Sequence, residues 1–548
     1  MPKNNHHSAI AIMGLGLVCL LLFHRLEIFS GLTQITGDLG DTRLVVFLYE
    51  HFWQVIQGKA HLLSPGMFYP VQGTLGYSDA LIGYAPIYCF FRAMGVLPYQ
   101  AVILNGITWD IFGYFAATFL IFRVFKVRAF SAAVGGALYA FSSAKLNQMN
   151  HLQLQPMAYL PIILILLHSI YRDHKEMNEG SVFFRLAAAG LLLDLQLVSG
   201  YYFGWFLVFW LTLLLITMTW LTSWKNVLDQ LSKFIKKYIK AVIGAGLIFA
   251  VGFIPFLMIY LPVVLEFGQR SYRDALLMTP QSFSFLWMGP DNWIWGWLDE
   301  AFSGFRELPL EWEHRVGVGA ILSVFWISVT VSAFRFQKKK ALSKSWKDFF
   351  DSKEKNLVLA VVLSTSIFIL IGFNYFGVAS PWHLVHSLFP GVKGVRAVAR
   401  YMLFLILPIA SVLAAWINQK TKKTRWVWIW AFLVLLEQQG SFSGFSAQKD
   451  WVRIVSLASQ VRSDCQSFFV RANPNYRQQM HELQTDAMLI SAVTGIPTLN
   501  GYSGQVPRGW DLNPKNLEIR TQVEDWFNRH GLPDKAADES CEIWLDRN

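Results

Sequence analysis

Residues 8–28, SAIAIMGLGLVCLLLFHRLEI, are followed at 37–43 by Gly37-Asp38-Leu39-Gly40-Asp41-Thr42-Arg43. A spanning helix needs roughly 20 apolar residues, so the first stretch reads as a membrane span and the second as the loop it opens into. No small-residue cleavage site follows the apolar run, which is therefore read as a retained span and not as a removed signal. Two carboxylates, two glycines and an arginine contribute nothing to an apolar core and cost free energy if drawn into one. They suit a site that takes a proton from a substrate at the membrane surface.

The pattern continues along the chain. Its 548 residues are 54% hydrophobic and only 15% charged, with a mean hydropathy of +0.37, whereas soluble domains carry about 25% charged residues. Further apolar runs occupy 99–123, 129–144, 156–171, 184–199, 202–222, 239–262, 316–334, 357–375, 398–417 and 426–440. The expected fold is a polytopic α-helical membrane protein of about eleven spans. The net charge of +11 resides in short segments between these runs: Arg123/Lys126/Arg128, Lys233/Lys236/Lys237/Lys240, Lys338/Lys339/Lys340 and Lys420/Lys422/Lys423/Arg425. With the N-terminus inside, all of these lie in the cytoplasm, as the positive-inside rule requires. Loops 29–98, 144–155, 263–315 and 376–397, and the tail from 441, then fall outside. No basic surface is interleaved with base-stacking aromatics, which excludes nucleic acid as a partner.

Two stretches read as helices lying at the outer surface. In 41–58, Leu44, Leu48, Phe52, Val55 and Ile56 share one helical face, with Arg43, Glu50 and Gln54 off it. Counting 80–97 as a span would export the Arg123 cluster, so it too is placed at the interface. Loop 263–315 holds Trp287, Trp293, Trp295, Trp297 and Trp312, which suit an aromatic belt.

The tail, 441–548, alternates strand (465–471), helix (476–494), strand (496–500), helix (514–530) and strand (541–545). That order predicts a small extracytoplasmic α/β domain with a mostly parallel sheet. Its glycine-rich loop Asn500-Gly501-Tyr502-Ser503-Gly504 lies at a strand end, where such sheets place ligands, but lacks a nucleotide-loop spacing. Cys465 and Cys541 both fall in this tail and have one possible pairing. Cys19 and Cys89 lie in apolar surroundings and read as packing residues.

The outer loops collect the groups that a phosphate-bearing lipid and a general base require. Asp38, Asp41 and Arg43 come first, then Asn150, His151 and Gln153, and Tyr201 at a membrane-edge turn. Asp291, Glu311, Glu313 and His314 precede one span; His383, His386, Lys393, Arg396 and Arg400 precede another. Each also has a plainer role. Asp38 or Asp41 suits a helix N-terminus, His151 a buried hydrogen-bonded ring, and Arg396 and Arg400 suit snorkelling to headgroups. His383 and His386 lack the acidic companion of a metal motif, and no cofactor is indicated.

In order, the motifs GDLGDTRL (37–44), FYPVQGTLGYSD (68–79), AFSSAKLNQMNHLQLQPMAYLP (140–161), SGYYFG (199–204), EHRVGVGA (313–320), LFPGVKGVRAVARYM (388–402) and TDAMLISAVTGIPTLNGYSGQVPRGW (485–510) resemble those of bacterial GT-C superfamily glycosyltransferases. The resemblance runs over most of the chain. It implies transfer from a polyprenyl-phosphate-sugar donor to an envelope glycan, lipid or protein at the outer face of the cytoplasmic membrane. Asp41 is then favoured as the base, with Asp38 as second acid or metal ligand. Arg396, Arg400 and Lys393 would hold the donor phosphate. Arg43, His151, Gln153, Tyr201, Asp291, Glu313 and His314 would line the pocket. The commoner acidic pair of this group places an Asp next to a Glu; here the carboxylates are three apart, which leaves the choice between them open. The alternative is a non-catalytic transporter, flippase or assembly partner. Transporters place ionisable residues at the midplane, and the spans here hold few: Asp110, Asp194 and Glu437.

Overall fold

The computed structural model describes residues 3–545 except 306, 340–341, 351–354, 376, 378, 421–426 and 533–534. Lys340, Lys422, Lys423 and Arg425 of the basic clusters lie outside the described residues. The rest is mostly helical. Six helices are long and apolar enough to cross a membrane: Pro98–Phe125, Leu152–Glu176, Glu179–Ser199, Tyr201–Leu221, Ala320–Gln337 and Val398–Lys420. The pair Ile239–Gly252 and Ile254–Phe267 passes the same test as one span bent by 47°. Pro255 sits at the start of its second half and removes a backbone donor, which accounts for the break.

The eleven expected stretches are all helical among the described residues. The first is Lys3–Phe23, of 21 residues, Ala129–Ala140 has 12, and Asn356–Ile371 and Val427–Glu437 adjoin residues outside those described. Polar side chains set two of these ends. The first helix stops at Phe23, beyond which His24 Nε2 meets Asp110 Oδ2 at 2.8 Å, while Lys145 pairs with the other oxygen of Asp110. Glu437 ends another by turning to accept from the backbone N–H groups of Ile321 and Leu322, each at 3.1 Å. It thereby caps the positive end of the Ala320–Gln337 helix. Asp110 and Glu437 are thus tied into the bundle. The Val398–Lys420 helix is wholly enclosed at its centre.

Helix Asp41–Ile56 forms as expected, but it does not lie on a surface. Thr42 through Phe52 are all buried, including Arg43 and Glu50. Glu50 is neutralised by Arg92 at 2.5 Å, and Arg43 by carboxylates of the tail, so the polar side of the helix is also covered by protein. The second expected surface helix is Ala85–Ala93.

The tail carries strands β3 (Ser467–Arg471) and β4 (Ser540–Trp544), paired in parallel, and Thr498 bridges Phe468 in parallel on its own. A disulfide joins Cys465 to Cys541. Helices Ala447–Ala458, Met480–Thr494 and Ile519–Arg529 surround the strands. Ahead of them, β1 (Gln34–Thr36) pairs antiparallel with β2 (Gly444–Ser446). One hydrophobic core joins Val46, Leu48 and Tyr88 of the first loop to Phe468, Leu483, Met488 and Ile543 of the tail. The two regions therefore pack as one body over the bundle.

Candidate active site

The site begins at the turn before helix Asp41–Ile56. Asp38 Oδ1 accepts from the backbone N–H of Gly40 and of Asp41, both at 2.8 Å, and so caps the helix. Gly37 has φ +123°, and a Cβ there would lie 2.0 Å from the Thr42 hydroxyl. A Cβ on Gly40 would meet the His481 ring at 2.9 Å. Both glycines are dictated by the turn, which aims Asp41 away from the helix.

Asp41 meets two loops. Its Oδ2 is 3.1 Å from His151 Nε2, and its Oδ1 accepts from the Tyr502 hydroxyl at 2.9 Å. His151 Nδ1 lies 3.0 Å from Asn150 Oδ1, which leaves Nε2 for the carboxylates. Glu313 stands behind the ring at 3.8 Å and is gripped in two-pronged fashion by Arg400, at 3.0 and 2.6 Å. A buried relay, Asp41–His151–Glu313–Arg400, thus links loops 37–43, 147–155, 311–315 and 391–400. Glu313 is 2% exposed and Arg400 5%, while the Asp41 side chain keeps 25% of its surface. It is the carboxylate of the group that faces an opening.

Charge follows the geometry. Burial pushes the Asp41 carboxyl up, but the His151 contact, the Tyr502 hydroxyl and the Arg400 charge outweigh it and hold it below the usual carboxylate range. Burial likewise raises Glu313, and Arg400 and His151 more than offset this. Asp79 goes the other way. Burial raises it, and the backbone N–H of Tyr201 with the charges of Arg400 and His151 offsets only part.

Cations gather on one side. The Arg396 guanidinium has no hydrogen-bond or ion-pair partner among the described residues, while its charge is felt by Glu313, Tyr502 and Arg270. Its backbone N–H donates to the Tyr202 hydroxyl at 3.1 Å, and Arg400 lies over the Tyr202 ring, 5.4 Å from its centroid. Burial lowers the Arg270 pKa, and the neighbouring Arg396 lowers it further. Two close guanidiniums favour an anion between them.

Of the residues expected in the site, Asp41, His151, Glu313 and Arg400 are brought into contact, and Arg396 stands beside them. Gln153 follows on the short turn Leu152–Leu154, its Oε1 buried without a hydrogen-bond partner among the described residues. Tyr201 donates to the Gly391 carbonyl at 2.7 Å and so fastens the loop that carries Arg396. Lys393 is exposed on that loop. Other residues are occupied elsewhere. Arg43 points into the tail, where Asp450 (2.5 and 3.0 Å) and Asp486 (2.7 Å) neutralise it. His314 donates from Nε2 to the Leu277 carbonyl at 3.1 Å, and burial keeps its pKa low, so it braces a loop as a neutral ring. Asp291 is exposed, its carbonyl accepting from Ser441 N–H. Arg400 is engaged by Glu313 through Nε and Nη2. Among the described residues no group of three or more His, Cys, Asp or Glu is placed to hold a metal.

Sequence reasoning passed over Tyr502, Asp79, Tyr202 and Arg270 as site residues. Tyr502 had a signal, the glycine-rich loop at a strand end; Gly501 lets that loop close on the Phe68 ring, which a Cβ would strike at 2.3 Å. Arg270 had none, because its place depends on the bent helix pair before it.

No protein-family model and no curated protein matches the chain. Solved structures do. The chain superposes on the arabinofuranosyltransferase AftD from mycobacteria with a TM-score of 0.51 and 13% identity, over 94% of this chain and 33% of that one. Looser likenesses are to the Archaeoglobus fulgidus oligosaccharyltransferase in the apo form (TM-score 0.47, 11% identity, 89% of this chain and 64% of that one) and to ArnT from Cupriavidus metallidurans bound to undecaprenyl phosphate (0.36, 10%, 90% and 89%). The chain spans about a third of the length of AftD. At such identities the likeness is one of fold, and it rests on AftD. The chain shares its fold with AftD, in keeping with the fold that its motifs led one to expect.

Proposed function

We propose that the protein is a glycosyltransferase that moves a sugar from a polyprenyl-phosphate carrier to a hydroxyl of an envelope glycan, lipid or protein, at the outer face of the bacterial cytoplasmic membrane. The observation that carries this reading is the Asp41 carboxylate, partly open to solvent and oriented by His151 and Tyr502, with the charge of Arg396 felt by Tyr502 and Glu313 around it. Asp41 accepts the proton of the acceptor hydroxyl as that oxygen bonds to the anomeric carbon. The bond from that carbon to the phosphate oxygen breaks, and its electron pair leaves with the phosphate. Arg396 and Arg270, with Lys393 at the rim, stabilise the charge that develops there. Asp38 holds the turn, and Arg400 keeps Glu313 ionised behind His151 so that the ring stays oriented. Gln153 offers an unpaired acceptor to a sugar hydroxyl. The outside placement is supported by the Cys465–Cys541 disulfide, which suits an oxidising compartment, and by the basic clusters on the opposite side.

The test compares envelope glycans by mass spectrometry with and without the protein, and with Asp41→Asn in its place. Loss of one sugar in both the null strain and the variant is expected, with transfer by the purified variant reduced about 10²–10⁴-fold. Unchanged product from Asp41→Asn at normal protein levels defeats the assignment of the base. An unchanged glycan profile in the null strain defeats the class.

A further inference from the structure

At the end of the bundle away from Asp41 lies a cavity of about 870 Å³ between helices Pro98–Phe125, Tyr159–Asp173 and Glu179–Ser199. The first of these is 28 residues long, or about 42 Å at 1.5 Å per residue, so the cavity and the Asp41 site lie near opposite edges of a bilayer. Phe119 and Phe122 wall it and are 51% and 44% exposed, so the cavity is continuous with the lipid-facing surface. Arg123, Lys126, Arg172 and Arg185 line its polar side, against one carboxylate, Asp173. Arg123 makes no hydrogen bond or ion pair with the described residues. Arg185 is held by the Ser181 hydroxyl and the Met177 sulfur, neither of which carries charge.

An aromatic wall open to lipid, joined to Arg123 and Arg185, which meet no carboxylate among the described residues, has the two-part chemistry of an acidic lipid. We infer that this cavity binds an anionic glycerophospholipid of the inner leaflet, its phosphate on Arg123 and Arg185 and its first acyl carbons along Phe119 and Phe122. The volume is within the range of sites that enclose a ligand of this size, and the basic residues are those that the positive-inside pattern places in the cytoplasm. This site is independent of the transfer reaction proposed above.

The test is retention of phosphatidylglycerol against phosphatidylethanolamine by the full-length protein, measured by native mass spectrometry after exchange from mixed vesicles. Each cation near an anionic headgroup is worth about fivefold in binding, so Arg123→Gln/Arg185→Gln is expected to lose about 25-fold. The charge-retaining pair Arg123→Lys/Arg185→Lys is expected to keep most of it, which separates lost binding from lost folding. Lys233→Gln/Lys236→Gln, on an exposed helix outside the cavity, is expected to have no effect. Equal retention of both lipids, an equal loss from the Lys233/Lys236 pair, or displacement by a polyprenyl phosphate but not by phosphatidylglycerol each overturns the inference.

Discussion

Replacement of Arg43 by glutamine is expected to loosen the tail from the first loop without touching the candidate base two residues before it. Arg43 is 1% exposed and meets Asp450 and Asp486, whose side chains are 7% and 0% exposed. Arg453 meets the same two carboxylates at 3.1 and 2.5 Å and is 31% exposed, and Tyr99 donates to Asp450 at 2.6 Å. Two cations and two carboxylates balance, so removing Arg43 leaves one negative charge uncompensated in a closed site. Breaking a buried pair costs about 3–5 kcal/mol; because Arg453 remains, the lower end applies, about 3 kcal/mol. If that cost falls on the docked state, the population of the undocked tail rises on the order of a hundredfold. Trypsin cleavage at Lys449, Arg453 and Arg462 of the full chain in detergent reads that population directly. The double variant Arg43→Gln/Asp450→Asn removes both partners and is expected to recover most of the resistance, because the penalty lies in the orphaned charge and not in the lost pair. Wild-type cleavage rates in Arg43→Gln, or a double variant no better than the single, would refute the reasoning. The same cluster sets an acid limit. Burial raises the Asp450 carboxyl, but the charge and hydrogen bonds of Arg43, the Tyr99 hydroxyl and the charge of Arg453 together outweigh it, so its folded pKa lies below the unfolded value. Its stabilisation is therefore complete above about pH 4 and is lost only as pH falls through the lower folded value.

Tyr502→Phe removes a hydroxyl that holds Asp41 ionised, so the acid limb of the pH–rate profile is expected to move up toward the usual carboxylate range while neutral activity persists. An unshifted acid limb would separate Tyr502 from the base. Asp38→Ala removes the cap of helix Asp41–Ile56 and is expected to cost about 1 kcal/mol in unfolding measurements, with transfer reduced far less than by Asp41→Asn; equal losses would make Asp38 a chemical participant. Serine in place of Cys465 and Cys541 opens a link across 76 residues, for which chain entropy gives about 4 kcal/mol, read as earlier loss of the tail on heating. Arg396→Gln with Arg270→Gln is expected to raise the KM for a polyprenyl-phosphate donor more than that for the acceptor; an effect on the acceptor alone would place the phosphate elsewhere.

Helix positions were legible because apolar runs follow local periodicity, and all eleven stretches are helical. Their exact ends were not, because His24 and Glu437 end helices by contacts with residues far away in sequence, Asp110 and Ile321. Asp41, His151, Glu313 and Arg400 were legible as a shared set of polar edges on one face. What hydropathy misled was helix Asp41–Ile56, whose apolar stripe looked made for lipid. Its polar face is matched by Asp450 and Asp486, more than 400 residues downstream, and such pairing leaves no local trace. The same distance hid the different surroundings of the two carboxylates, Asp38 on the backbone of its own turn and Asp41 on His151 and Tyr502.

The pairing of β1 with β2 brings residues 34–36 against 444–446, and Tyr502 completes the surroundings of Asp41 from further along still. The loop at 34–43 leaves the ribosome long before its mates, which emerge only after the intervening spans have been threaded. During biogenesis the loop must wait, unpaired, while those spans are made. A nascent chain stalled before residue 444 carries the acidic motif without its strand partner, its clamp or its tyrosine. Such a chain lacks the surroundings that hold the Asp41 carboxylate in place.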